Sequence, residues 1–167
     1  MMMKYKNFEP IISEGVVNLG SDVVGNVKLG KDVNLWFNST VRGDMAGIVI
    51  DEGTNIQDNV VVHTDTFQST HIGKMVTVGH SAIIHAAIVK DYALIGMGSI
   101  ILNGAVIGEY AMVAAGTLVP PGKIVPPKTL VMGNPMRIVR ELTDTEIKAN
   151  IENSKKYISL AKEYKNG

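Results

Sequence analysis

Four histidines, His63, His71, His80 and His85, fall within 23 residues of a 167-residue chain that has no cysteine. The missing thiols exclude disulfide frameworks, thiolate nucleophiles and every cysteine metal site, so a bound metal must take histidine or oxygen ligands. The spacings are eight, nine and five residues, which do not match the helical pair four apart of a zinc protease. If these side chains do chemistry together, something other than one helix brings them together.

That element is a repeat. Aliphatic residues recur at Leu29, Leu35, Val41, Ile50, Ile56, Val62, Ile72, Val78, Ile84, Val89, Ile95, Ile101, Ile107, Val113 and Val119; eleven of the fourteen intervals are six residues, the others nine, ten and five. Val and Ile number 38 against nine Leu, a β-branched excess that favours strands. A period of six suits short strands separated by turns and wound as a solenoid, three to a triangular coil. The fold class predicted is an all-β solenoid, with coils beginning at Leu29, Ile50, Ile72, Val89 and Ile107. The extra residues near Gly47 and from Gln68 to His71 read as loops. An ordinary β-sandwich with a coincidental repeat is the alternative.

The repeat predicts a domain over 1–125. Beyond Val119 the pattern stops, and Pro120, Pro121, Pro126, Pro127 and Pro135 make up five of the six prolines, so 126–142 reads as an extended connector. A helix over 143–165 follows. Thr143 and Glu146 form a capping box, with Leu142 and Ile147 placed for a hydrophobic staple. Ile147, Ile151, Tyr157, Ile158, Leu160, Ala161 and Tyr164 give this helix an apolar face to bury on the same domain or on a neighbouring chain.

Successive coils lie about 4.8 Å apart, so equivalent positions stack. His63 follows Val62 and His85 follows Ile84, which puts both imidazoles in one column on adjacent coils, pointing away from the aliphatic interior. Two imidazoles one strand apart can approach one ion. His80, two residues after Val78, belongs to a different face; in a threefold assembly it could complete a site with His63 and His85 of another subunit, leaving the open position of catalytic zinc. Solvated or hydrogen-bonded histidines at a subunit contact are the competing reading, which we retain for His71. Arg42 lies one coil before His63 in the same column, Asp44 and Asp65 lie two residues further along, and Asp58 shares the column of His80. Asn55 and Gln57 bracket Ile56. They read either as surface and interface hydrogen bonds or as support for the site. In the second reading Gln57, with Asn55 beside it, orients a metal-bound hydroxide, while Arg42, Asp44 and Asp58 support the subunit contact.

Sixteen basic and sixteen acidic residues balance to zero net charge, which disfavours nucleic acid as a partner. No apolar stretch approaches a membrane span or a signal peptide, so the expectation is a cytoplasmic protein with no membrane partner.

With these residues in view, the sequence resembles the γ-class carbonic anhydrase family from about Ile11 to Tyr164. The resemblance is carried by Val41-Arg42-Gly43-Asp44, Asn55-Ile56-Gln57-Asp58-Asn59, His63, Val78-Gly79-His80 with His85 five residues on, and Gly133-Asn134-Pro135 before the helix. It implies a left-handed parallel β-helix, a homotrimer, and zinc, with cobalt or iron in some relatives. It also implies that each ion is held by His63 and His85 of one chain and His80 of the next. It implies reversible hydration of carbon dioxide to bicarbonate by metal-bound hydroxide. Tyr157 resembles the tyrosine that borders the site in relatives.

The chain departs from the best-studied members in carrying Met45 where they have a glutamate, and in a short Thr66 to Met75 segment without their acidic loop. Both changes remove groups that export protons, so weak activity is expected, with Asp65 or a buffer as the substitute. The alternatives are an acyltransferase or coenzyme A thioesterase using His71 as base, and a trimeric accessory subunit whose metal is structural.

Overall fold

A computed structural model describes all 167 residues. The chain winds as a left-handed parallel β-helix of about seven turns, followed by the single helix Asp144–Asn166. Its strands are mostly two or three residues long, and they stack in the register that the six-residue anchors predict. Leu29 pairs with Ile50, Ile50 with Ile72, Ile72 with Val89 and Val89 with Ile107. Leu35, Ile56, Val78, Ile95 and Val113 form a second column, and Val41, Val62, Ile84, Ile101 and Val119 a third. All fifteen are essentially inaccessible to solvent and belong to one continuous core. Burying each such side chain favours folding by about 1.5–3 kcal/mol.

The three columns define three faces: the first is that of the Val41 column, the second that of the Leu29 column and the third that of the Leu35 column. The first carries Val61–His63, Ile83–His85, Ile100–Ile101 and Leu118–Val119. The second carries Thr70–Ile72, Ile88–Val89, Val106–Ile107 and Ile124–Val125. The long strand Thr40–Ile50 turns the corner between them, pairing with Val61–His63 at one end and Thr70–Ile72 at the other. The third face runs from Val17–Asn18 to Thr129–Met132 and is closed by the antiparallel strand Arg137–Glu141.

Two expectations are corrected. The repeat does not stop at Val119: Val125 and Val131 continue the columns at the same spacing, so 126–142 is not an extended connector but includes the strands Thr129–Met132 and Arg137–Glu141. The prolines fit because of where they stand. On the second face the residue after each anchor donates to the next coil, as Gly73 does to Val89, Lys90 to Ile107 and Gly108 to Val125. Pro126 takes that position in the last coil, where no further coil needs a donor; Pro120 does the same on the first face. His71 also lies in register, pairing with Val49 and Ile88, because the insertion falls earlier than Gln68 to His71, in the turn between Asp65 and Gln68, which form an isolated bridge.

The helix starts at the predicted cap: Thr143 accepts from the Glu146 backbone, and the Glu146 side chain accepts from the Thr143 backbone. It packs on the third face, where Trp36 meets Tyr157 edge-on with ring centroids 5.4 Å apart, beside Val17 and Ala161. Only Ser154 and Ala161 of the helix are fully buried, so its apolar face is covered in part. No helix is long and apolar enough to cross a membrane.

Candidate metal centre

His63 and His85 are directly paired across adjacent strands. Val62 and Ile84 point into the core with no exposed surface, so strand alternation turns both imidazoles outward. The rings tilt 52° with centroids 5.1 Å apart, and His63 Nδ1 lies 3.2 Å from His85 Nε2.

The other ring nitrogens are committed. His63 Nε2 is 2.9 Å from Asp44 Oδ1, and His85 Nδ1 is 2.8 Å from Asn103 Oδ1. Oxygen acceptors at those positions place the imidazole protons there, leaving lone pairs on His63 Nδ1 and His85 Nε2. Two facing lone pairs cannot hydrogen-bond each other, but they can share a cation. Zinc with nitrogen bonds of about 2.0–2.1 Å and tetrahedral angles sets its ligands about 3.3 Å apart, close to the separation here. The residues therefore fit a divalent metal, and the oxygen partners behind them are the support such ligands require.

Asp44 is itself held. Burial alone would raise its pKa, but hydrogen bonds with His63 and Arg42 outweigh burial and lower it. The Arg42 and Asp44 ion pair forms within one chain. Gly43 between them lets the preceding coil approach closely, since a Cβ there would lie 2.5 Å from the Asn26 carbonyl oxygen.

His80 stands apart, at the corner between the third and first faces. Its Nδ1 is 2.7 Å from Asp58 Oδ2, which leaves Nε2 as the free lone pair. Gly79 before it packs against the next coil, where a Cβ would come 2.9 Å from the Ile95 carbonyl oxygen. Within one chain no three His, Cys, Asp or Glu side chains gather closely enough to hold a metal. The pair and His80 thus stand on separate corners, and neither alone is a complete ligand set.

His80 borders a cavity of about 390 Å³, lined also by Gln57, Tyr157, Met97, Met112 and Leu94. Burial, then the Asp58 carboxylate, raises the Tyr157 pKa, partly offset by Gln57; its hydroxyl therefore keeps its proton at neutral pH. Gln57 Nε2 donates to Asn55 Oδ1 at 3.0 Å. Asn55, expected among the catalytic groups, has no exposed surface and donates to Thr77 Oγ1 at 2.9 Å. It accepts from Gln57 and does not line the cavity, being fully covered on the third face where the helix packs.

Asp65 faces Asn103, which donates to Asp65 Oδ2 at 2.6 Å. Sequence reasoning missed Asn103, although it lies within the coil that follows His85. A larger cavity of about 560 Å³ runs along the second face beside His71, Lys90 and Glu109; there His71 Nε2 meets Asp51 Oδ2 at 2.7 Å.

No family model matches the chain. It is 51% identical over 152 residues to a protein of Methanocaldococcus jannaschii described as a probable carbonic anhydrase, covering 90% of this chain and 96% of that one. It is 40% identical to gamma carbonic anhydrase 2 of Arabidopsis thaliana, a mitochondrial protein, over 96% of this chain and 60% of that one. Among solved structures, a Bacillus cereus protein described as a putative acetyltransferase superposes with a TM-score of 0.96 at 37% identity, over 99% of this chain and 96% of that one.

Proposed function

Because this chain belongs to the γ-class carbonic anhydrase family, we propose that it is a metal-dependent carbonate dehydratase, hydrating carbon dioxide reversibly to bicarbonate between the subunits of a homotrimer. The observation that carries this reading is the set of three histidines, each with one ring nitrogen tied to an oxygen acceptor and the other left as a lone pair. His63 and His85 of one chain and His80 of the next would hold zinc, cobalt or iron. When bound, such an ion acts as a Lewis acid that brings the pKa of a water from about 15.7 toward 7.

The chain supplies the rest. Bringing His80 of one copy to the histidine pair of another would bring the cavity beside that His80 to the shared site. The first face carries the exposed apolar residues Val61, Ile83 and Ile100, and Phe67 beside it is 99% exposed; burial against a second copy gives these a partner. Met97, Met112 and Leu94 offer apolar wall to a linear, uncharged substrate. Gln57, anchored through Asn55, orients the attacking oxygen toward the substrate carbon, and the protonated Tyr157 hydroxyl donates to the developing carboxylate oxygen. One water and one carbon dioxide give bicarbonate and one proton. Met45, half exposed, offers no carboxylate to carry that proton, so turnover should depend on buffer concentration. Asp65 is engaged by Asn103 and by the Thr66 backbone N–H, which argues against a swinging shuttle there.

The test is anaerobic metal analysis with stopped-flow hydration assays after loading zinc, cobalt or iron, alongside His63→Ala. Hydration that disappears with the metal in His63→Ala supports the reading; hydration and metal content that both survive overturn it. Metal loss that dissolves the trimer of a protein with no turnover in any loaded form would leave the accessory-subunit reading instead. Acyl transfer or thioester hydrolysis has one observation in its favour, the His71 and Asp51 pair beside the larger cavity. Thioester turnover lost in His71→Ala and kept in His63→Ala would establish it.

A further inference from the structure

We infer that Asp65, acting through Asn103, fixes the tautomer of His85 and so holds its Nε2 ready for the metal; this rests on the shared metal site proposed above. The chain of contacts has a direction imposed by chemistry. An ionised carboxylate has acceptors only, so the atom of Asn103 facing Asp65 Oδ2 at 2.6 Å must be its amide nitrogen. That choice turns the Asn103 carbonyl oxygen toward His85 Nδ1, 2.8 Å away. A carbonyl oxygen accepts, so Nδ1 must carry the proton. The lone pair is then left on Nε2, the atom that faces His63 Nδ1.

Asp65 is well placed to dictate this order because it is itself pinned. Its backbone N–H donates to the Gln68 carbonyl at 3.0 Å and its carbonyl accepts from the Gln68 N–H at 3.1 Å. Its Oδ1 accepts from the Thr66 N–H at 2.7 Å. The short turn between the first and second histidine ligands is thereby a rigid mount for one carboxylate. His63 and His80 have their carboxylates directly behind them; His85 has one at a remove, relayed by an amide that could otherwise flip. Asn103 and Asp65 are positioning residues for the ligand.

The experiment uses full-length protein labelled with ¹⁵N-histidine. In the chelator-treated protein, long-range ¹H–¹⁵N spectra should show His85 protonated on Nδ1 in wild type, and a mixture or the opposite tautomer in Asp65→Ala and Asn103→Ala. Zinc affinity, measured by competition with a chromophoric chelator, should fall about 10–100-fold in either variant. The double variant Asp65→Ala, Asn103→Ala should be no weaker than Asn103→Ala alone. Asn103→Asp in the Asp65→Ala background puts the carboxylate directly on His85 and should restore both tautomer and affinity, which a loss of fold would not allow. A wild-type tautomer and affinity in Asp65→Ala, or losses that multiply in the double variant, would overturn the relay. If wild type itself binds no zinc, the shared site falls, while the spectra still decide the tautomer.

Discussion

His63 Nδ1 and His85 Nε2 face each other across 3.2 Å with the proton of each ring held on the opposite nitrogen. In the proposed metal site this juxtaposition supplies two ligands, and His80, the third, sits on a different corner of the same chain, which makes subunit exchange a direct probe. Trimers refolded from an equal mixture of His80→Ala and His85→Ala chains should recover about one quarter of the wild-type metal content, since only interfaces with an intact pair on one side and an intact His80 on the other are complete. Each variant alone should bind none. Metal analysis of the mixed and separate samples checks this, and no recovery in the mixture would mean that one chain must supply all three ligands.

Gln57 and Asn55 should separate in their effects. Gln57→Ala removes a group that faces the cavity and should lower kcat/KM by about 10²–10³-fold with metal content unchanged. Asn55→Ala removes both the acceptor of Gln57 and the donor to Thr77, so it should lower Tm as well as activity. Hydration kinetics, metal analysis and thermal melts on both variants decide it; a Gln57→Ala enzyme with wild-type turnover removes Gln57 from the mechanism.

The support beneath the pair is aliphatic. Ile84 has no exposed surface and precedes His85 on the same strand. Ile84→Ala should cost about 2–5 kcal/mol of stability, read by denaturant unfolding of the protein, and should weaken metal binding because the strand carrying His85 settles into the void. A cost near zero would show that the solenoid interior is loosely packed.

Acid should loosen the C-terminal helix before it reaches the core. The Arg140 guanidinium and the Thr143 cap lower the Glu146 pKa from 4.5 to about 2. A carboxyl lowered in this way stabilises the fold above its unfolded pKa, and that contribution is lost as pH falls from about 4.5 through about 2. Side-chain ¹³C titration should find Glu146 well below the other glutamates. Glu146→Gln should weaken the helix at neutral pH and remove the acid dependence of its amide exchange.

The stacking of His63 on His85 was legible in the sequence because a strict period of six converts spacing into register: Val62 to Ile84 spans one coil, and the histidines follow their anchors. The first coil was not legible, since Asn18 takes an anchor position and Ile12 is exposed. Val125 and Val131 keep the period, but prolines suggested an ending where the chain needed only turns without donors. Asn55 looked like its neighbour Gln57, and alternation does turn both to the outer side of the third face; but Asn55 is fully buried there and bonded to Thr77, while Gln57 borders the cavity. Asn103 carries no motif; its partners are 18 and 38 residues away, and only the coil geometry joins them.

The prolines of the final turn have a bearing on how copies of the molecule meet. With Pro120 and Pro126 offering no N–H, and the outermost ribbon Arg137–Glu141 reversed in direction and exposed along its whole length, the last rung presents no template on which another solenoid could continue the winding. The missing donors and the charges of Arg137, Arg140 and Glu141 on that ribbon disfavour lengthwise fibre growth at this end, and the trimer proposed above would form through the flanks, where the histidines are.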